Sequence, residues 1–307
     1  MTGAATPIPN RLNAAIVVAQ LTLLVAFVIA CRFADGWWWV LLAATFVVVA
    51  NSAFFSIHEA SHGVLFSDKR WNRLAGTVLA LFMPASFELL RRVHLAHHVH
   101  NRSDEEVFDL YFEGENALWK RLQFYGILTG AFWLVVVASN VLLAVLPMRS
   151  LSALLKADRP SAAVMAYLDR HTSGRLRAEA WVVVVLHAAV AYWLGERALG
   201  YAAVYVAFGV SWSTLQYLHH FGTGRDVLRG AKNVRYGPVL DRLWLNHGWH
   251  LTHHLRPSVP WRYLPAVAGR DEKPTESFAR AYFRMWRGPK LTRERIANRY
   301  DGCIARD

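Results

Sequence analysis

The chain is poor in cysteine and in charged residues for its length. Cys31 and Cys303 are its only cysteines among 307 residues, and Asp, Glu, Lys and Arg together make up 18% of the sequence. Two cysteines without a CxxC pair exclude a disulfide framework and argue against thiolate metal ligands. Residues 1–10 lack the basic stretch and the cleavage site of a secretory leader, so we expect the first apolar run to be retained as a membrane span.

Hydrophobic residues are abundant and are arranged in long runs. They form 54% of the chain, which also contains 13 Trp residues. A helix needs about 20 apolar residues to cross about 30 Å of hydrocarbon. Four runs meet this requirement, at about 12–30, 37–57, 180–197 and 200–218. We therefore predict an all-α integral membrane protein with about four transmembrane helices.

Two further apolar runs, 74–90 and 122–146, are predicted not to cross the membrane. The first run is interrupted by Pro84. The second has basic residues on both flanks, and the positive-inside rule places both flanks in the cytoplasm. We predict that both runs are re-entrant or interfacial, and that the second makes its polar turn near Ser139 and Asn140.

The remaining segment, residues 222–307, is polar and is predicted to form a helical cytoplasmic cap, so that residues 1–307 make one membrane domain. The net charge is +12, and the tail 270–307 is rich in Arg and Lys. This tail is interpreted either as an anchor on anionic lipid headgroups or as a docking face for an acidic protein. No nucleic-acid-binding module accompanies the charge, so no nucleic-acid partner is expected. The predicted location is the inner, cytoplasmic membrane.

Histidines form four short clusters, each just past or between the apolar runs. The first cluster is HxxxH, the second and fourth are HxxHH, and the third is an HH pair. Imidazoles at positions i, i+3 and i+4 share one helix face, and neutral imidazole is the commonest metal ligand. The clusters predict ligands at one member of the pair His219–His220 and at eight further positions: His58, His62, His94, His97, His98, His250, His253 and His254. This set is too large for one ion, so the sequence predicts a dinuclear site facing the cytoplasm.

The ligand set also bears on the identity of the metal. An all-imidazole site suits iron, copper or zinc. Zinc takes four ligands, which would leave half of these histidines unused, whereas two irons with four or five nitrogens each would use them all. The chain has a single Glu-x-x-His motif, from Glu59 to His62, which excludes a ferritin-like carboxylate site. Two iron ions would therefore account for the whole ligand set.

The order HxxxH, HxxHH, HxxHH resembles that of the membrane fatty acid desaturase and hydroxylase superfamily. Residues 246–265, NHGWHLTHHLRPSVPWRYLP, look like the third box of acyl-lipid desaturases with its proline-rich continuation. Residues 94–101 also resemble the second box of carotenoid hydroxylases. The segment QYLHHF, residues 216–221, resembles the extra histidine site at the end of the last span, and that alignment makes His219 the ligand and His220 its neighbour. The resemblance covers about residues 46–265.

The resemblance implies an O2-dependent di-iron oxidoreductase that introduces a double bond into a lipid-linked fatty acyl chain. Hydroxylation of a lipid or a carotenoid by the same site is the alternative reaction. The chain has no haem or flavin motif of its own, so electrons are expected from an external donor such as a ferredoxin or a cytochrome with its reductase.

Hydrogen-bonding neighbours normally orient the imidazoles that bind a metal. The candidates for this role are Glu59, Asp104, Glu105, Asp109, Asp241, Asn246 and His220. For the carboxylates, an ordinary role as solvated surface charges is equally open. His100 and His247 lie next to the boxes and receive no assigned role.

Two other functions fit parts of the pattern. His58-Glu59-Ala-Ser-His62 matches HExxH, the zinc motif of metalloproteases, in which the Glu activates water. An intramembrane protease would leave both HxxHH boxes unexplained. A metal transporter would need ionisable groups inside the spans along a path, whereas these histidines gather at one membrane face.

Overall fold

A computed structural model describes residues 6–156, 161–162, 165 and 173–296 of the chain. Predictions that fall on the other residues, including the end of the predicted cap at 297–307, lie outside the described residues. Helices form most of the described chain, with these bounds: α1 Asn10–Cys31, α2 Trp38–Ser61, α3 Lys69–Ala80, α4 Phe87–His100, α5 Ala117–Thr129, α6 Ala131–Val145, α7 Met148–Leu155, α8 Ser173–Leu194, α9 Ala198–Leu218, α10 Pro238–Leu243, α11 His250–Leu255, α12 Leu264–Val267 and α13 Phe278–Met285.

Short 3-10 turns and strands complete the described fold. The turns are Gly195–Arg197, Trp261–Tyr263 and Arg270–Glu272. The strands are β1 Leu110–Phe112, β2 Val234–Arg235, β3 Glu276–Ser277 and β4 Lys290–Thr292. They pair in parallel, β1 with β4 and β2 with β3. Strands β1 and β2, which follow α4 and α9, are thereby connected to residues 276–292.

Three helical stretches are long and apolar enough to cross a membrane, namely Asn10–Cys31, Trp38–Ser61 and Gly174–Leu218, and a bent helix pair raises this number to four if it counts as one span. The third stretch has 45 residues and contains both α8 and α9. His187 Nδ1 of α8 lies 3.0 Å from the Tyr201 hydroxyl of α9. Fourteen residues of straight helix would separate these positions by about 21 Å. The chain therefore turns back at Gly195–Arg197, and α8 lies beside α9.

The apolar run 122–146 is broken at a different place from the one expected. Helices α5 and α6 meet at an angle of 92° at Gly130, which has a left-handed φ of 87°. The prediction of a turn near Ser139 and Asn140 is wrong, because both residues lie inside α6. The side-chain amide of Asn140 instead forms hydrogen bonds to neighbouring segments. Its side chain accepts a hydrogen bond from Ser86 N at 2.8 Å and donates one to Ala180 O at 3.4 Å.

The run 74–90 also breaks, between α3 and α4, in a turn that contains Pro84. Backbone carbonyls in this turn need hydrogen-bond donors, because an apolar surrounding offers no water. His187 Nε2 donates to Leu81 O at 2.9 Å, and the Tyr205 hydroxyl donates to Phe82 O at 3.0 Å. His187, a histidine within a candidate span, therefore has a structural role.

The packing of α2 against α4 and α9 brings the histidine clusters together. Helix α2 contacts both α4 and α9, and the histidines at the carboxyl ends of α2 and α9 lie beside those of α4. The segment after α9 also packs on α2, since Trp244 Nε1 donates to Val48 O at 3.1 Å. Asn233 Oδ1 accepts from Leu251 N at 2.8 Å and positions the start of α11.

Replacement of Gly130 by Ala is expected to destabilise the protein more than replacement of Gly114. Both glycines have a φ of 87°, so an alanine at either position would adopt the same unfavourable left-handed φ. A Cβ at Gly130 would lie 2.9 Å from Val210 N of α9, whereas one at Gly114 meets nothing within 4 Å. Left-handed backbone costs about 1–2 kcal/mol for a residue with a side chain, and the clash adds to this only at Gly130. Thermal unfolding in detergent measures the difference, and equal losses for the two variants would contradict the packing of α5–α6 on α9.

Candidate metal centre

Five histidines from three helices form a first group of facing ring nitrogens. Helix α2 with the residue after it provides His58 and His62, α4 provides His94 and His98, and α11 provides His253. The i, i+4 spacing within α2 and within α4 places each pair on one helix face. One nitrogen of each ring lies within 4.8 Å of all the others.

The spacing of these nitrogens fits a shared metal ion. The Nε2 atoms of His62 and His94 are 2.6 Å apart, those of His94 and His98 are 3.1 Å apart, and those of His98 and His253 are 3.1 Å apart. Metal–imidazole bonds are about 2.1 Å long, and two such ligands at right angles on one ion are then about 3 Å apart. His58 Nε2 is buried and has no hydrogen-bond partner among the described residues, so its lone pair is left for an ion.

Four other histidines form a second group, which we call group two, and the five above are group one. Group two consists of His97 of α4, His220 after α9, and His250 and His254 of α11. Three Nε2–Nε2 distances, from His97 to His254, from His254 to His250 and from His250 to His220, are 3.3, 3.2 and 3.0 Å. Each HxxHH box therefore contributes histidines to both groups.

The structure distinguishes the two members of the HH pair. His220 Nδ1 donates to Gly230 O at 2.8 Å, which leaves the Nε2 lone pair facing group two. His219 lies outside both groups, and both of its nitrogens have partners. Its Nδ1 lies 3.0 Å from Lys232 O, and its Nε2 lies 2.5 Å from the Tyr236 hydroxyl. The resemblance of residues 216–221 led us to expect His219 as the metal ligand, with His220 beside it. The geometry argues against His219 and favours His220 as the ligand.

The surroundings keep the ligand histidines of α4 and α11 neutral. Burial, and then the proximity of other imidazoles, hold the pKa well below its usual value for His98, His250, His253 and His254. A protonated imidazole has no lone pair for a metal, so a depressed pKa keeps these ligands ready to bind.

Of the residues expected to orient the ligands, Glu59 alone among the carboxylates lies against a group member. Glu59 Oε1 is 3.6 Å from His58 Nδ1, and Oε2 accepts from Trp261 N at 2.9 Å. The backbone bond ties Glu59 to the proline-rich segment that follows α11. Glu105 pairs with His100, which belongs to neither group.

Four other expected residues bond elsewhere in the described structure. Asp104 accepts from Arg225 and Ile296 N, and Asp109 accepts from Tyr217 and Gly222 N. Asp241 accepts weakly from Tyr236 N, and Asn246 donates to Trp261 O. None of these bonds reaches a histidine of either group. These four residues instead stabilise the loops next to the helices that carry the histidines.

Glu106 is the carboxylate that sequence reasoning missed. Its Oε1 lies 2.6 Å from His97 Nδ1, so the ring donates there and presents Nε2 to group two. The signal was present, since Glu106 follows the second HxxHH box by a few residues, but the neighbouring acidic residues look the same in sequence. His247 was left without a role, and the structure stacks it on Phe55 with ring centroids 4.0 Å apart.

Comparisons with known proteins agree with one another. The family described as "Fatty acid desaturase" matches residues 35–288, a range that contains both histidine groups. One relative, the sphingolipid delta(4)-desaturase DES1 of Xenopus tropicalis, is 28% identical over 254 residues. The aligned region covers 80% of this chain and 70% of the relative.

Alanine substitution of the two adjacent histidines is expected to give different metal contents. His220→Ala removes a group-two ligand and should lower the bound metal by about one ion per chain, since removing a ligand weakens a site strongly. His219→Ala removes bonds to Lys232 O and the Tyr236 hydroxyl and should leave the metal content unchanged. Elemental analysis of the two purified variants measures this. Loss of metal from His219→Ala with retention in His220→Ala would reverse the assignment.

Proposed function

Because the chain belongs to the fatty acid desaturase family, we propose that its two histidine groups hold two iron ions and that it desaturates a lipid-linked acyl chain. The resemblance seen in the histidine boxes is confirmed by the family match and by the desaturase relative. The protein is accordingly an oxidoreductase with a lipid desaturase role. The observation that carries the two-ion proposal is the division of nine imidazoles into separate groups of five and four.

The donor set fits iron and fits two ions. Imidazole ligands suit iron, and five and four nitrogens leave coordination positions open on each ion. When bound, the irons supply the redox chemistry by which dioxygen takes up four electrons, two from the substrate C–H bonds and two from an external donor. The ligand set proposed for the first ion is His58, His62, His94, His98 and His253, and for the second His97, His220, His250 and His254.

The protein contributes orientation and a dry surrounding. Glu106 and Gly230 O hold the rings of His97 and His220 by their outer nitrogens. His62 and His220 have no exposed surface, and the other buried group members are at most 6% exposed. Exclusion of water protects a reactive oxidant from side reactions. Orientation by these partners fixes the rings before any substrate arrives.

The membrane arrangement also forms part of the proposal. We infer four crossings, by α1, α2, α8 and α9, with the helix pair α5–α6 re-entrant. Under the positive-inside rule the histidine groups then face the cytoplasm of the inner membrane. Arg280, Arg287 and Lys290 are exposed on the cap, and their charge suits an acidic electron donor such as a ferredoxin. A cytochrome with its reductase is the other donor class.

The substrate is proposed to be a long saturated chain carried by a lipid. The similar protein from Xenopus is named for sphingolipids, so the chain of a sphingolipid is one candidate alongside an ester-linked fatty acyl chain. Hydroxylation of a lipid or carotenoid by the same site is the alternative. The two reactions differ in atoms: desaturation removes two hydrogens, and hydroxylation adds one oxygen.

Lipid analysis of a host that expresses the protein is expected to show a product lighter by two hydrogens than its saturated precursor. The His94→Ala variant, which lacks a group-one ligand, is the matched control and should reduce the product by at least about 10²-fold. Iron starvation of the host should lower the product, and iron supplied again should restore it. A product heavier by one oxygen would establish the hydroxylase. An unchanged lipid profile, with the protein present and iron-loaded, would contradict the proposal.

A further inference from the structure

A fully buried arginine lies close to group two without touching it. Arg102 is 1% exposed and follows α4 by two residues. Its guanidinium forms an ion pair with Asp109 and donates to the Tyr217 hydroxyl at 2.8 Å and to Thr223 O at 2.8 Å. A buried charge without such partners would cost several kcal/mol. This arginine is therefore held by the loop after α4 and by the end of α9 together.

The Tyr217 hydroxyl is the centre of this arrangement. It donates to Asp109 Oδ1 at 2.7 Å and accepts from Arg102 and from Phe108 N at 3.0 Å. The second carboxylate oxygen of Asp109 accepts from Gly222 N at 2.7 Å. The loop 101–109 is thereby fixed at two points, Tyr217 and Gly222, on either side of the HH pair.

Both ends of this network lead to ligands of group two. On the loop side, Glu106 orients His97. On the α9 side, His220 donates to Gly230 O, and Asn101 Nδ2 shares that carbonyl at 3.4 Å. Arg102 packs so tightly on Gly230 that a Cβ there would lie 2.3 Å from Arg102 Cγ. A displaced loop would therefore move the partners of two ligands at once.

Group one is supported from a different direction. Its α2 member His58 lies beside Glu59, which is bound to Trp261 N in the proline-rich segment. His253 Nδ1 has no hydrogen-bond partner among the described residues. None of the hydrogen bonds of Arg102, Asp109 or Tyr217 described above involves a segment that carries His58 or His253.

We propose that Arg102, Asp109 and Tyr217 act as positioning residues for the second metal ion more than for the first. The inference rests on the proposed function, because it assumes that both groups hold iron. It predicts that the two ions differ in what secures them: the first takes its ligands from α2, α4 and α11, and the second depends in addition on the contact between the loop 101–109 and the end of α9.

Tyr217→Phe tests the proposal, because it removes the shared hydroxyl and keeps the ring and the Arg102–Asp109 pair. Tyr205→Phe is the matched control, since it removes another buried, hydrogen-bonded hydroxyl from the same helix. Loss of an orienting partner typically lowers metal affinity by about 10–100-fold. Chelator competition on the iron-loaded protein should therefore remove one iron from Tyr217→Phe at about 10–100-fold lower chelator concentration, while wild type and Tyr205→Phe behave alike.

Spectra identify the ion that is lost. The partly depleted Tyr217→Phe protein should show an uncoupled ferric electron paramagnetic resonance signal that matches iron-loaded His220→Ala and differs from His58→Ala. Asp109→Asn should give the same selective loss, and Tyr217→Phe should unfold in detergent at a temperature close to that of Tyr205→Phe.

Three outcomes would overturn the inference: equal loss of both irons, retention of both with wild-type affinity, or a residual signal that matches His58→Ala. If Tyr217→Phe fails to fold, the result for Asp109→Asn decides between selective and general loss. A wild-type protein without two coupled irons would instead contradict the proposed function, whatever the variants do.

Discussion

The convergence of nine imidazole nitrogens into two small volumes is the interaction on which the rest of the structure depends. Each group takes its ligands from three separate parts of the chain, so no helix forms a group alone. Buried polar atoms without partners are costly, and His58 Nε2 is one of them. Metal binding would offset this cost, because binding energy at a site that exists only in the folded chain stabilises the fold. On the proposed function, metal loading would therefore be coupled to folding.

The membrane helices serve this convergence. The chain turns back between α8 and α9, and the polar side chains of His187 and Tyr205 satisfy carbonyls in the turn between α3 and α4. That turn allows α4 to start within the helix bundle and to carry its histidines toward the ends of α2 and α9. Polar groups that look out of place in apolar runs, Asn140 among them, are the contacts that fix the helix ends.

Run length and histidine spacing were enough to predict the helical class and the meeting of the histidine clusters, because both depend on features that are local in sequence. The apolar runs also coincide with helices long enough to cross a membrane, while the number of crossings stays a prediction. Features set by tertiary contacts were not predictable. The sequence does not indicate that the bend between α5 and α6 lies at Gly130 rather than near Asn140. The choice between His219 and His220 depends on which ring meets the Gly230 carbonyl, and the choice of Glu106 over Glu105 depends on the path of the loop. In the last two cases adjacent residues of one type differ only in the folded chain.

Two neutral imidazole groups are proposed to hold two iron ions close together. The most direct test is metal analysis of the detergent-purified protein, with Mössbauer spectra of a sample enriched in iron-57. We expect about two irons per chain, with the signals of a magnetically coupled pair in a nitrogen-rich environment. A single zinc ion and no iron, from cells supplied with both metals, would contradict it.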